Sequence, residues 1–148
     1  MIQAEEFLRL AEIYATGKSE ADWRSAVSRA YYAAFHVARE FMASLGFVTP
    51  RADLAHAFLW RRLENCGCIP LTLAGSRLNQ LRGERNRADY DLNSNLAWKD
   101  TQAAVKSAGM IIAALQTLSP ENRQAATEAM KTYERDVLRE ITWRKRPR

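Results

Sequence analysis

The stretch that decides the fold is LTLAGSRLNQLRGERNRADYDL, residues 71–92. Its apolar residues recur at steps of three and four, which is the spacing of one helix face packed on a core. The positions on this face are Leu71, Ala74, Leu78, Leu81, Arg85, Ala88 and Leu92. Arg85 therefore falls where a helix needs an apolar side chain. A guanidinium in such a place must keep polar partners, because a buried charge that loses its partner costs about 3–5 kcal/mol.

The composition predicts one globular domain over residues 1–148. A chain of 148 residues can bury a single core, and its content of 47% hydrophobic and 26% charged residues is typical of soluble proteins. No run approaches 18 apolar residues, and the first ten residues, MIQAEEFLRL, are acidic where a signal peptide would be basic. We therefore expect a cytoplasmic protein with no membrane segment.

The net charge and the cysteine content limit which partners, disulfides and metal sites the chain is expected to have. The net charge is +5, and residues 139–148 form a basic tail, which favours acidic partners such as nucleic acid. The two cysteines, Cys66 and Cys68, are too few for a disulfide framework and lack a second ligand pair for zinc. We expect no metal and no cofactor.

Helical periodicity runs through the whole chain without a convincing strand pattern, so the predicted class is all-α with about five to six helices. Gly17 is a natural end for the first helix, and Ser19 to Asp22 reads as a capping box for the second. Ser119 followed by Pro120 is a strong start signal for the last. The expected helices cover roughly residues 3–16, 19–45, 51–64, 73–90, 95–118 and 120 into the 140s.

The second helix carries two stripes at helical spacing. One is apolar and predicted to lie in the core: Val27, Tyr31, Ala34, Ala38, Phe41 and Leu45. The other is polar and tracks beside it: Ser25, Arg29, Tyr32, His36 and Arg39. Because Tyr and His interleave with Arg on the second stripe, we expect this face to pack on another polar surface and to supply the partners of Arg85.

Two segments together resemble the paired signatures of the HEPN superfamily, in its compact single-domain prokaryotic branch. They are SRAYYAAFH, residues 28–36, and LRGERNRADYD, residues 81–91. The resemblance implies an up-and-down helical bundle, commonly a homodimer, in which the two segments face one another. Many members are metal-independent ribonucleases. Others are non-catalytic partners of minimal nucleotidyltransferases in toxin–antitoxin or related two-gene modules.

The resemblance also implies residue roles. The ribonuclease motif is Arg, four to six residues and then His, and Arg85 with Asn86 matches its start. The histidine does not appear, since Tyr90, Asp91 and Leu92 occupy the three positions where it would stand, and counting from Arg82 supplies none either. Histidine is the side chain whose unperturbed pKa suits a general base near neutral pH. His36 is the substitute on the polar stripe, whereas His56 is expected to be structural.

In a catalytic interpretation, Arg85 would stabilise the phosphorane charge, Asn86 would position the phosphate, and Tyr90 or His36 would handle protons. Arg29, Tyr32, Arg82 and Asp89 would line the binding surface.

Two other interpretations stay open. One is a non-enzymatic subunit that binds a partner or a nucleotide. The other is a structural dimer with no ligand. Independently of these, Arg85 and Asp89 are four residues apart and can form an ion pair that only fixes the register of two helices.

Overall fold

The computed structural model describes residues 1–144, and most of them lie in six α-helices. The helices are α1 (Ala4–Ala15), α2 (Glu20–Leu45), α3 (Leu54–Glu64), α4 (Ile69–Tyr90), α5 (Trp98–Gln116) and α6 (Pro120–Tyr133). One π-helical turn, Glu134–Leu138, continues α6. Within residues 1–144, β-pairing is limited to an isolated antiparallel bridge between Phe47 and Trp143. The predicted all-α bundle is confirmed.

Helix α2 is the centre of the bundle and packs against α1, α4 and α5. Its apolar stripe is buried from Val27 to Phe41, as predicted. Helix α3 packs on α4, and Gly75 allows the close approach, because a Cβ at this position would lie 2.8 Å from the backbone nitrogen of Glu64.

The face of α4 that was predicted from residues 71–92 is buried from Leu71 to Ala88, and Arg85 is only 6% exposed. Leu92 was wrongly assigned to this face: α4 ends at Tyr90, and the Leu92 side chain is 78% exposed. The helical spacing of α4 thus correctly predicted that the charged side chain of Arg85 points inward.

Capping residues set several helix ends where they were predicted. Ser19 accepts a hydrogen bond from the Asp22 backbone at 3.1 Å, and Ser119 accepts one from the Asn122 backbone at 3.2 Å. Helix α4 begins four residues earlier than predicted, because Pro70 fits the first turn, where no backbone N–H is needed. Helix α3 begins only at Leu54, after Ala52 adopts a positive φ of 56°.

The C-terminal end differs most from the sequence prediction. Helix α6 does not reach the 140s, because its continuation ends at Leu138 and the chain turns back through Arg139, which has a φ of 53°. The segment after Arg139 packs on the loop that follows α2. The backbone N–H of Arg144 donates to the Gly46 carbonyl there, at 2.8 Å. Gly46 itself needs a φ of 106°, and a Cβ there would lie 2.7 Å from the Trp143 indole nitrogen.

The predicted basic tail, residues 139–148, is described only as far as Arg144, and residues 145–148 lie outside the described range. Over residues 1–144, no helix has both the length and the apolar character that crossing a bilayer requires.

Candidate functional site

Arg85 lies in the middle of an aromatic cage. Its guanidinium carbon is 5.3 Å from the centroid of the Tyr31 ring and 5.4 Å from that of Tyr32, both on α2. Tyr90, one turn further along α4, contributes a third ring at 5.8 Å. Each such cation–π contact is worth about 0.5–2 kcal/mol, more when it is desolvated. The rings therefore compensate part of the cost of burying the charge.

The polar partners of Arg85 are few. Its Nη1 lies 3.9 Å from the Asp89 carboxylate, which is an ion pair longer than a hydrogen bond. That carboxylate also accepts a hydrogen bond from the Ser28 hydroxyl at 3.1 Å. The Arg85 Nε is buried and has no hydrogen-bond partner among the described residues. Arg85 thus keeps a guanidinium whose donors are incompletely used, next to a surface carboxylate.

His56, on α3, is the imidazole on the Arg85 side of the bundle. Its Nδ1 is hydrogen-bonded to the Tyr31 hydroxyl, and the two rings stack with centroids 5.6 Å apart. Burial lowers the pKa of His56, and the charges of Arg82 and Arg85 lower it further. Burial raises the pKa of Tyr31 despite the same two cations, so this phenol stays protonated.

A cleft of about 390 Å³ opens beside these residues, between α2 and the start of α3. We call it the α2–α3 cleft. It is lined by Tyr32, Phe35, Arg39, Pro50, Arg51, Ala52, Asp53, Ala55 and His56. Tyr32 belongs to both surroundings, since its ring faces Arg85 and also forms part of the cleft wall.

The polar stripe of α2 divides between two sides of the bundle. His36 stacks on Phe7 of α1 at 5.5 Å, and the Arg29 guanidinium lies 5.8 Å from the same ring. Burial lowers the pKa of His36, and the charge of Arg39 adds to that effect. His36 also lines a groove of about 300 Å³ with α1 residues. Of the stripe, it is Tyr32 that reaches Arg85, whereas His36 and Arg29 face α1.

The other predicted site residues lie along the exposed side of α4. Asn86 and Asp89 are at the surface, and the Tyr90 side chain is 75% exposed. Arg82 is half-buried, and its charge acts on Tyr31 and His56 as described above. Its Nε has no hydrogen-bond partner among the described residues. Arg82 and Arg85 therefore form a cationic pair, one helical turn apart, behind the tyrosines.

Arg24 fixes the end of α4, and the sequence interpretation missed it. Its Nη1 donates to the carbonyls of Arg87, Ala88 and Asp91 at 2.9–3.2 Å. Nη2 is paired with Glu20 at 2.9 Å. A cation at a helix C-terminus satisfies carbonyls that have no intrahelical partner. The spacing of Glu20 and Arg24 signals an ion pair within α2, but nothing in it points to α4.

His56 is the other residue that sequence reasoning did not place in the site. It sits in an alanine-rich stretch of α3, and no motif links it to residue 85. Among the described residues, no group of three or more His, Cys, Asp or Glu side chains is arranged to hold a metal ion.

A comparison with protein-family models matches residues 1–118 to the model described as "HEPN domain". Searches of curated proteins and of solved structures found no match. The matched range contains α1 to α5, and therefore every residue of the Arg85 cage and of the α2–α3 cleft, whereas α6 and the returning C-terminal segment lie beyond it.

Proposed function

The chain belongs to the HEPN domain family, and we propose that it is an RNA-binding module that holds the RNA backbone at Arg85. Membership of the family indicates a nucleotide- or RNA-related role. The observation that supports RNA-backbone binding is the state of Arg85: its charge is buried among rings, its Nε is unpaired, and its carboxylate partner is 3.9 Å away. A phosphodiester oxygen at the Nη groups would supply the close anionic partner that Asp89, at 3.9 Å, does not.

Arginine suits this role for a chemical reason. Its planar fork of donors matches the oxygens of a phosphate group, and charge-assisted hydrogen bonds of this kind are stronger than neutral ones. Arg82 adds positive charge one turn away, and the net charge of +5 favours approach of a polyanion. Asp89, 29% exposed, would have to give up part of its hold on Arg85 when phosphate binds.

Metal-independent RNA cleavage is the second candidate function. The observation in its favour is the imidazole of His56, which is hydrogen-bonded to a tyrosine of the Arg85 cage. In this proposal Arg85 would stabilise charge on the phosphorus and Asn86 would position the phosphate. Tyr90 or His36 would handle protons, and the His36 ring stacks on Phe7 of α1. The geometry supports binding better than cleavage.

A partner subunit is a further part of the proposal. HEPN domains commonly dimerise and bind RNA, and the same family includes partners of minimal nucleotidyltransferases in toxin–antitoxin or defence modules. Tyr90 and Leu92 are 75% and 78% exposed at the end of α4. A second copy of the chain, or such a nucleotidyltransferase, would cover these side chains. Light scattering of the purified protein, alone and after co-expression, measures which assembly forms.

The test of RNA binding is fluorescence anisotropy with a labelled 12-nucleotide single-stranded RNA. We expect Arg85→Gln to weaken binding by about tenfold or more, because one charge-assisted hydrogen bond contributes about 1.5–3 kcal/mol. Arg9→Gln on α1, whose side chain is 72% exposed, removes the same charge far from the cage in sequence and serves as the matched control. Equal affinities for the two variants would refute the proposal.

The same samples test cleavage. The RNA is incubated with each protein in a chelator and run on a denaturing gel. Cleavage by the wild type and the Arg9→Gln variant, but not by Arg85→Gln, would support the ribonuclease. Binding of the RNA without cleavage would support the RNA-binding module and refute the ribonuclease proposal.

A further inference from the structure

The α2–α3 cleft has the properties of a second anion site. Its volume of about 390 Å³ lies within the usual range of ligand clefts. Two arginines line it from different elements, Arg39 from α2 and Arg51 from the loop before α3. Both are exposed, so the cleft can admit a solvated ligand.

His56 offers a hydrogen-bond donor to this cleft. The Tyr31 hydroxyl keeps its proton, because burial raises its pKa, and the partner it has is His56 Nδ1. The phenol therefore donates to Nδ1. A neutral imidazole that accepts at Nδ1 carries its proton on Nε2. Since His56 lines the cleft and its Nδ1 is bonded to Tyr31, we infer that Nε2–H is the donor it can offer to a ligand there.

The charges around His56 favour an anion. Arg82 and Arg85 act on it from α4, and Arg39 and Arg51 stand with it around the cleft. Asp53 is the opposing charge: it lines the same cleft and raises the pKa of His56, with less effect than the two α4 cations. The cations outnumber this carboxylate, so the cleft is electropositive.

The cleft is continuous with the Arg85 cage through Tyr32. One ring separates the two places, because Tyr32 faces the Arg85 guanidinium at 5.4 Å and also lines the cleft. A strand whose phosphate binds Arg85 could continue past Tyr32 into the part of the cleft that Arg39, Arg51 and His56 line. Repeated anionic groups at short spacing are characteristic of a nucleic-acid backbone.

We propose that the α2–α3 cleft binds a second phosphate of the RNA strand held at Arg85, with Arg39 and Arg51 as cations and His56 as hydrogen-bond donor. This inference rests on the proposed function and extends it from one phosphate to a two-phosphate track. No metal or covalent step is involved.

The first test measures the salt dependence of binding for the 12-nucleotide RNA. Each phosphate contact on a single strand contributes a slope of about 0.7 to the fall of log affinity with log salt concentration. Because Arg39 and Arg51 share one phosphate, we expect Arg51→Gln and Arg39→Gln each to lower the slope by at most about 0.7 and to weaken binding by about threefold or more, while Arg9→Gln leaves the slope unchanged. Arg51 is exposed, so its replacement leaves the core intact.

The outcomes separate the two proposals. Loss of affinity in Arg85→Gln, with Arg39→Gln and Arg51→Gln behaving like Arg9→Gln, would overturn the second phosphate site and leave RNA binding at Arg85 standing. Wild-type affinity in Arg85→Gln, with losses at Arg39 and Arg51, would overturn the proposed function and leave the cleft as an anion site by itself. Parallel losses at all three arginines would support both.

The second test uses pH to reach His56. A bound phosphate favours the imidazolium, so it raises the pKa of His56 above its lowered value in the free protein. Binding then takes up a proton, and affinity rises as the pH falls from 8 to 5.5. We expect His56→Gln to flatten this dependence and Arg9→Gln, on the exposed side of α1, to preserve it. An unchanged pH profile in His56→Gln would overturn the role given to His56.

Discussion

Among residues 1–144, two arginines are buried, Arg62 and Arg85, and their ion pairs differ. Arg62 on α3 is 2% exposed and faces Glu134, which is fully buried. Its Nε donates to Glu134 Oε2 at 2.8 Å, Nη2 lies 2.8 Å from the same oxygen, and Nη1 donates to the Phe58 carbonyl at 3.2 Å. Arg85 is 6% exposed, but its carboxylate partner is 3.9 Å away and partly in solvent.

The difference teaches that burial alone does not mark a functional arginine. Glu134 also accepts hydrogen bonds from the Thr142 hydroxyl and from the backbone of Thr142 and Trp143, so the Arg62 pair closes the C-terminal segment onto α3. That network is closed to solvent and lies partly beyond the HEPN range of residues 1–118. Arg85 instead lies beside an open cleft. Each of the two arginines keeps one buried nitrogen without a hydrogen bond, Nη2 in Arg62 and Nε in Arg85. The structural arginine is distinguished by its short ion pair with a buried carboxylate, whereas the carboxylate partner of Arg85 is distant and partly exposed.

The largest effect is expected from removing the carboxylate of the buried Arg62–Glu134 pair. Glu134→Ala should lower the free energy of unfolding by about 3–5 kcal/mol, because it leaves the Arg62 charge buried without a partner. The measurement is urea denaturation followed by circular dichroism. The double variant Arg62→Met with Glu134→Leu should recover most of the loss, since an apolar pair carries no unpaired charge. A loss below about 1 kcal/mol in Glu134→Ala would contradict the closed character of this pair.

Arg24 should have an effect on stability between those of the two buried arginines, because its partners are backbone carbonyls rather than a buried carboxylate. Arg24→Ala should cost about 2 kcal/mol, since several charge-assisted hydrogen bonds at the end of α4 are lost. Hydrogen exchange should show the change at residues 87–91. Protection elsewhere in α4 serves as the internal control, and uniform loss of protection along the chain would show that the cap is not local.

Replacing the incompletely paired arginine should have little effect on folding. Arg85→Met should change the free energy of unfolding by less than about 1 kcal/mol, because an apolar side chain avoids the desolvation cost that the long ion pair with Asp89 recovers only in part. The same urea titration measures it. If Arg85→Met cost as much as Glu134→Ala, Arg85 would be a structural residue like Arg62, and the proposed RNA site would lose its basis.

Acid should produce the smallest effect on stability, through both histidines. His36 and His56, the two histidines of the chain, have pKa values lowered by burial in the folded state, below the value of about 6.5 expected when unfolded. The unfolded chain therefore binds more protons, and stability falls as the pH drops below about 6.5. Melting temperatures at pH 7.5 and 5.5 test this. The double variant His36→Gln with His56→Gln should reduce the difference, and an unaltered difference would assign it to carboxyl groups.

Local signals in the sequence located most of the secondary structure. Ser19 and Ser119 cap the helices that they were predicted to cap, and the spacing from Leu71 to Ala88 placed Arg85 inward. Such signals work because capping and helical spacing depend on residues a few positions apart. The end of α6 could not be predicted in this way. It depends on Glu134 meeting Arg62, a partner 72 residues earlier in the chain.

The candidate site shows the same division. The twin tyrosines and Arg85 could be matched from two segments of sequence, and the structure brings them together. The sequence interpretation chose His36 and expected His56 to be structural, whereas the histidine that the structure places on a cage tyrosine is His56. His36 is four residues from Tyr32 on the same helix, but α1 packs over that side of α2 and stacks Phe7 on its ring. His56 reaches Tyr31 across a separation of 25 residues because α3 folds back over α2.

The sequence by itself determined the all-α class, the helices α1 to α6 to within a few residues at most of their ends, and the inward position of Arg85, because these follow from spacing along one helix. Only the tertiary structure decided which imidazole accompanies that arginine, what closes Arg62, and where a cleft remains open. These depend on which helix faces which, and that is set by packing of the whole core.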